Sequence, residues 1–268
     1  MPNETALAIA SHPDDIELMM GGTFALLGKA GLELHYMNIA NGSMGTDSET
    51  RESIIARRTE ESRAAAAMLG ATFHDPLVDD LDVYYDRTLP RKVGAVIREV
   101  KPRIMLVQSP QDYMEDHTNA CRLSVSAAFF RGMFNYVTDP PRSPWGGSVT
   151  IYHALPWGLR DPLRRAISAG CYVNIASVLK LKRDALACHL SQKIWLDVSQ
   201  GLDSYLIAMD RMAEQVGRMS RVFTHAEGWR RHLHLGFCGE KDDPLTDVLG
   251  ELAHVCAEYE AELDGPLK

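Results

Sequence analysis

Short apolar runs alternate with longer segments of helical periodicity through the first hundred-odd residues, and this alternation restricts the fold more than any other feature. Ala6 to Ser11 is short, apolar and β-compatible, while Ile16 to Ala30 carries apolar residues at helical spacing up to Gly31, a usual helix stop. Leu34 to Ala40 reads as a second strand, Glu52 to Leu69 as an alanine-rich helix closed by Gly70, and Thr72 to His74 as a third, short strand. Arg91 to Val100 is then helical until Pro102 stops it, and Arg103 to Gln108 is a strand of the fully buried type.

This order predicts an α/β fold, a single Rossmann-like three-layer α/β/α domain with a mainly parallel sheet. Ligands of such sheets bind beyond the carboxyl ends of the strands. The turn after the first strand and the loop after Val107 are therefore the places to look for chemistry. Further on, Asp116 to Tyr136 reads as a helix, Asp139 to Gly147 as a proline-rich surface loop, Val149 to Leu155 as a strand, and Ser199 to Arg218 as a helix. Nothing in this half forms a second independent set of strands. The expectation is one domain over 1–268, with the part from about 145 to 268 completing the sheet and covering the site.

The formal charge of -8 and a pI near 5.7 argue against a nucleic-acid partner. The five cysteines are scattered and never spaced as C-x-x-C, which suggests neither a disulfide framework nor a thiolate metal site and fits a reducing cytoplasm. No window approaches the ~18 apolar residues of a membrane span, and the first residues do not read as a cleavable leader.

His12-Pro13-Asp14-Asp15 sits where the first strand hands over to the first helix. Proline at the first helical position and acids in the first turn make a good helix start. One imidazole and two carboxylates in four residues also suit a divalent metal beside a free base. The loop after the fourth strand carries Asp116-His117 at another strand-to-helix handover. In a parallel sheet His117 projects over the same edge as His12 and Asp15, giving two imidazoles and one carboxylate with an open fourth position. Either Asp14 or Asp15 can take the metal while the other serves as base, and Asp116 can orient an imidazole or the base from behind.

Taken together, His12-Pro13-Asp14-Asp15-Ile16-Glu17 with Gly21-Gly22-Thr23, the Asn41 to Gly45 turn, Arg58-Thr59-Glu60-Glu61 followed by Leu69-Gly70, and Asp116-His117 resemble the PIG-L/LmbE-like family of zinc-dependent N-deacetylases. The resemblance covers roughly the first 135 residues. It implies one Zn2+ per chain held by His12, Asp15 and His117, with Asp14 as the general base and Arg58 holding a sugar or polyol hydroxyl. The implied reaction removes an N-acetyl group from an N-acetylglucosamine-type sugar conjugate, a small-molecule substrate. A homo-oligomer is expected by the same resemblance.

One position departs from the family pattern. Many members carry a histidine three residues before the metal-binding one, where it helps stabilise the oxyanion; this chain has Met114, which has no hydrogen to donate. Tyr113 and the histidine-rich stretch from Thr224 to Phe237, His234 above all, are the candidate replacements, although His232 and His234 also read as inert residues capping an edge strand. Asp79 to Asp82 reads as a solvated acidic loop from which Asp82 can reach substrate hydroxyls. The missing donor leaves a second reaction open, a zinc-dependent hydratase or lyase acting on a small unsaturated acid. A phosphoacceptor receiver module is disfavoured because Met105 to Gln108 ends in no aspartate, and a dinucleotide site because Ser11 to Gly22 holds no G-x-G-x-x-G turn.

Overall fold

Alternate residues of the first strand, β1 (Thr5–Ala10), feed two different cores in the computed structural model, which describes residues 4–194 and 204–263. Ala6, Ala8 and Ala10 pack on one side with Phe24 and Leu27, whereas Leu7 and Ile9 pack on the other with Leu123 and Ala127. The two-residue period of a strand produces this division, and a sheet covered by helices on both faces needs it.

The elements follow as α1 (Asp15–Met19), α2 (Gly21–Lys29), β2 (Glu33–Asn38), α3 (Arg51–Met68), β3 (Ala71–His74), α4 (Leu89–Val100), β4 (Ile104–Val107), α5 (Glu115–Phe130) and β5 (Thr150–Ala154). Then come β6 (Cys171–Asn174), α6 (Leu179–Leu186), α7 (Ser204–Ser220), β7 (Ala226–Arg231), α8 (Pro244–Leu249), β8 (Ala253–Val255) and α9 (Ala257–Leu263). All the strands join one sheet in the order β3-β2-β1-β4-β5-β7-β6-β8. From β3 to β5 every pairing is parallel, and the pairings of β7 with β5 and β6, and of β6 with β8, are antiparallel. The α/β class with a mostly parallel sheet is the one the alternation implies.

From β1 the chain winds outward through β2 and β3, then returns to place β4 on the other flank of β1. The crevice between β1 and β4 is thus the switch point at which an open α/β sheet receives ligands. His12 follows β1 and the loop before His117 follows β4, so the topology alone makes them neighbours.

Several expected boundaries are corrected. The helix expected over Ile16 to Ala30 is two helices broken at Met20 (φ -131°). The break frees the amides of Gly22 and Thr23, which donate to the two carboxylate oxygens of Glu227 at 2.8 and 2.7 Å. Lys182 Nζ closes on the same carboxylate at 2.6 Å in a fully buried ion pair. The helix expected to reach Tyr136 stops at Phe130 because Arg98, buried beneath it, draws the carbonyls of Phe130, Arg131 and Met133 onto its guanidinium. The proline-rich loop beyond is pinned: Arg131 Nε donates to the Gly147 carbonyl at 2.8 Å and Arg98 Nη1 to that of Arg142 at 3.0 Å. Of the helix expected from Ser199, the stretch before Ser204 lies outside the described residues. Among the described residues no helix is long and apolar enough to cross a membrane.

His232 and His234, expected on an edge strand, lie in no strand: they follow β7, which is interior, flanked by β5 and β6. Its reversed direction carries the chain away from the ligand-binding edge: Arg231 pairs with Tyr152, and Phe237 accepts from Val149 at the start of β5.

Candidate functional site

The turn between β1 and α1 is held from several sides. The His12 carbonyl accepts from Asn38 Nδ2 at 2.6 Å, and the Pro13 carbonyl accepts from Arg58 Nη2 at 2.6 Å. Between them Asp14 sits at φ 104°, in the left-handed region, which costs a residue with a Cβ about 1–3 kcal/mol and persists only where its surroundings impose it. Arg58 can impose it because it belongs to the inward stripe Ile54, Arg58, Ser62, Ala65 of α3, at helical spacing. The turn Gly42 to Gly45 lies over its side chain so closely that a Cβ at either glycine would stand 2.4 Å from the Arg58 side chain.

Three side chains converge at the crevice. His12 Nδ1 and His117 Nε2 are 3.3 Å apart, His117 Nε2 and Asp15 Oδ2 are 3.3 Å apart, and His12 Nδ1 and Asp15 Oδ2 are 3.5 Å apart. Ligands about 2.0–2.1 Å from a tetrahedral ion stand roughly 3.3–3.4 Å from one another. The three atoms therefore fit one face of such a site, and this is the metal-competent cluster found among the described residues. Each imidazole is backed by a carboxylate on its other nitrogen: His12 Nε2 meets Asp116 Oδ2 at 3.0 Å, and His117 Nδ1 meets Asp112 Oδ1 at 3.1 Å. Asp15 Oδ2 also accepts from the His12 amide at 2.7 Å and from Gln108 Nε2 at 3.0 Å. Outer partners of this kind fix ring orientation and raise ligand basicity.

The electrostatics agree with a cation-binding centre. Burial alone lowers the pKa of His12, but Asp116 and Asp15 outweigh it and carry it up to about 10. His117 likewise rises despite burial, through Asp15 and Asp112. Asp15 is lowered although burial opposes this, because both imidazoles face it. Surplus carboxylate charge is here balanced by protons that a divalent ion would displace. Asp14 moves the other way: burial raises its pKa, and the Arg58 guanidinium 3.4 Å from Oδ2 only partly offsets the shift.

A cavity of about 400 Å³ opens over this cluster. His12, Asp14, Asp15, Arg58, Tyr113 and His117 all line it, and Arg58 does so while almost wholly buried. Tyr113 is half-exposed, with its ring edge-on to His117 at 5.9 Å between centroids. Asp116 stands behind the metal-competent atoms, accepting from His12 and from the Leu81 amide. Met114 reaches the cavity wall. Two expected residues are not brought there. Asp82 is exposed, and it is Asp80 that lines the cavity, where it accepts from the amides of Gly42 and Met44. The acidic run is thus a brace for the 41–45 turn instead of a solvated loop. His234 lies in a separate cleft with Arg231 and Tyr259, because β7 runs towards the opposite end of the sheet.

Other residues of the site carried no readable signal. Asp112 faces His117 from a loop with no periodicity. Gln192, Ser204 and Tyr205 reach the cavity from beyond the alternating region. Trp157 arrives on a single turn, Trp157–Leu159, after β5.

Comparison with known proteins gives a consistent picture. The family model described as "PIG-L: GlcNAc-PI de-N-acetylase" matches residues 7–128. A diacetylchitobiose deacetylase of Thermococcus kodakarensis is 35% identical over 233 residues, covering 82% of this chain and 84% of that protein. A 4-oxalmesaconate hydratase of Pseudomonas putida is 26% identical over 203 residues, covering 72% of this chain and 76% of that one. Among solved structures, N,N'-diacetylchitobiose deacetylase from Pyrococcus horikoshii superposes with a TM-score of 0.73 at 23% identity, over 87% of this chain and 85% of that one.

Proposed function

The chain belongs to the PIG-L family of de-N-acetylases, and from that premise we propose that it is a zinc-dependent hydrolase that removes the N-acetyl group of an N-acetylglucosamine-type sugar conjugate. The observation that carries this is the spacing of His12, Asp15 and His117 at one end of a cavity with the buried carboxylate of Asp14 beside them. The ligand set of two imidazoles and one carboxylate favours zinc among divalent ions. When bound, the ion supplies Lewis acidity, polarising the amide carbonyl and acidifying water.

The protein's own residues do the rest. Asp14 takes the proton of the attacking water and returns it to the departing nitrogen, so that amide and water become acetate and a free amine. Burial, by raising its pKa, suits it to hold that proton between the two steps. Asp112 and Asp116 keep the imidazoles in register. Arg58 fixes the turn that aims Asp14, and its place in the cavity wall assigns it a substrate hydroxyl. Tyr113, beside the Met114 position, supplies the donor that many family members take from histidine.

Acetate release from N,N'-diacetylchitobiose and related conjugates tests this directly, with metal-stripped and zinc-reloaded protein. Zinc-restored release is expected. Failure of the reloaded protein to release acetate from any N-acetylated sugar would overturn the proposal. Hydration of a small unsaturated acid is the second reading, favoured by Met114 and by similarity to the hydratase, and it would free neither acetate nor amine.

A further inference from the structure

Alternation along β7 divides its side chains. Glu227 and Trp229 face α2, where they bond Gly22 and Thr23, and Arg230 turns to the opposite face of the sheet. There its guanidinium reaches past β5 to the loop that follows β4. Nη2 donates to Ser109 Oγ at 2.9 Å and Nη1 to Gln111 Oε1 at 2.6 Å. The buried Ser109 hydroxyl also accepts from the Gln111 amide at 3.0 Å and donates to the Gln111 carbonyl at 2.9 Å, so its whole bonding capacity goes into this bend. Among the described residues the backbone of 109–113 makes no hydrogen bond to other backbone, and side chains set its course. Asp112 follows directly, its side chain wholly buried, and meets His117 Nδ1 at 3.1 Å.

A line of contacts therefore runs from Arg230 through Ser109 and Gln111 to Asp112, and from there to the imidazole whose Nε2 belongs to the metal-competent cluster. Resting on the metal centre of the preceding section, we propose that Arg230 is a positioning residue for it. By gripping Ser109 and Gln111 it holds the loop where Asp112 can orient His117, and so β7 sets the affinity for an ion that it does not touch. The charge of Arg230 cannot be the source of that help, because a cation repels a divalent ion. Its contribution is geometric.

Zinc affinity, measured by competition with a chromophoric chelator, reads charge and geometry with opposite sign. Loss of the charge alone would tighten binding in Arg230→Met, whereas loss of the clamp should weaken it about tenfold. Arg230→Lys keeps the charge without the planar fork and should weaken it by a similar factor. Arg230→Met should add little to the loss caused by Asp112→Asn, since both act through one contact. The visible spectrum of cobalt-loaded Arg230→Met should differ from that of wild type, a change that lower stability by itself does not produce. Wild-type zinc affinity in either Arg230 variant, losses that multiply in the double variant, or an unchanged cobalt spectrum overturns the proposal and leaves the metal centre standing. A wild-type protein that binds no zinc overturns both. Should Arg230→Met not fold, Ser109→Ala keeps the arginine, removes the oxygen it grips and should weaken zinc binding in the same direction; unchanged affinity there overturns the clamp.

Discussion

Arg58 Nη2 donates to the carbonyl of Pro13 at 2.6 Å, tying the middle of α3 to the peptide that precedes the strained Asp14. A lysine at this position keeps the charge but not the planar fork that reaches the carbonyl and the Asp14 carboxylate together. Arg58→Lys should therefore lower kcat/KM by about 10²-fold while metal content per chain stays at the wild-type level. Elemental analysis alongside acetate release checks both halves, and an unchanged rate would show that the turn holds itself.

Asp14→Asn separates base from ligand. Asparagine tolerates the left-handed backbone, so the turn survives and the carboxylate alone is lost. A drop of about 10²–10⁴-fold in kcat with full metal occupancy is expected. His117→Ala should show the reverse order of effects, losing metal first. Equal metal loss in both variants would place Asp14 among the ligands.

Asp112 is not among the residues that line the cavity and yet supports the site through His117 Nδ1. Asp112→Asn should weaken zinc affinity by about 10–100-fold, measured by competition with a chromophoric chelator. Activity at saturating zinc should recover most of the way, and a defect that added zinc does not relieve would point to a role in chemistry.

His153 gives the fold an acid-sensitive point away from the metal. Burial, against the opposing pull of its bond with the Gln108 carbonyl, lowers its pKa from 6.5 to about 4. The unfolded chain then binds more protons than the folded one between those values, so this contribution is fully present above pH 6.5 and is lost as pH falls towards 4. Between pH 6.5 and pH 5 the loss amounts to roughly 2 kcal/mol. Urea denaturation of wild type and His153→Gln at pH 7.5 and pH 5 measures it, and the variant should lose distinctly less stability between the two. Parallel losses would assign the acid sensitivity elsewhere.

The part of the site that was legible in the sequence is the part set by strand ends. His12, Asp14, Asp15 and His117 follow strands whose apolar runs are unambiguous, and parallel pairing leaves their loops no other edge to occupy. Asp82 and His234 misled for opposite reasons. The choice between Asp80 and Asp82 depends on which carboxylate accepts the Gly42 and Met44 amides, a matter of loop geometry that no periodicity records. His234 depends on the direction of β7, and a short apolar run carries no sign of whether it pairs parallel or antiparallel. Tyr205 was invisible because a tyrosine on an amphipathic helix reads as packing, and only its burial against Asp14 at the cavity wall marks it out.

Glu227 caps α2 across 205 residues of chain, and until it is in place the amides of Gly22 and Thr23 and the ammonium of Lys182 lack their acceptor. The order of synthesis is therefore the reverse of the order of completion. The ribosome delivers the His12 to Asp15 turn almost first, but α2, the second helix after it, is finished by a strand delivered in the last fifth of the chain. A nascent polypeptide carrying only the residues that match the family model would hold most of the chemistry and lack the piece that closes α2.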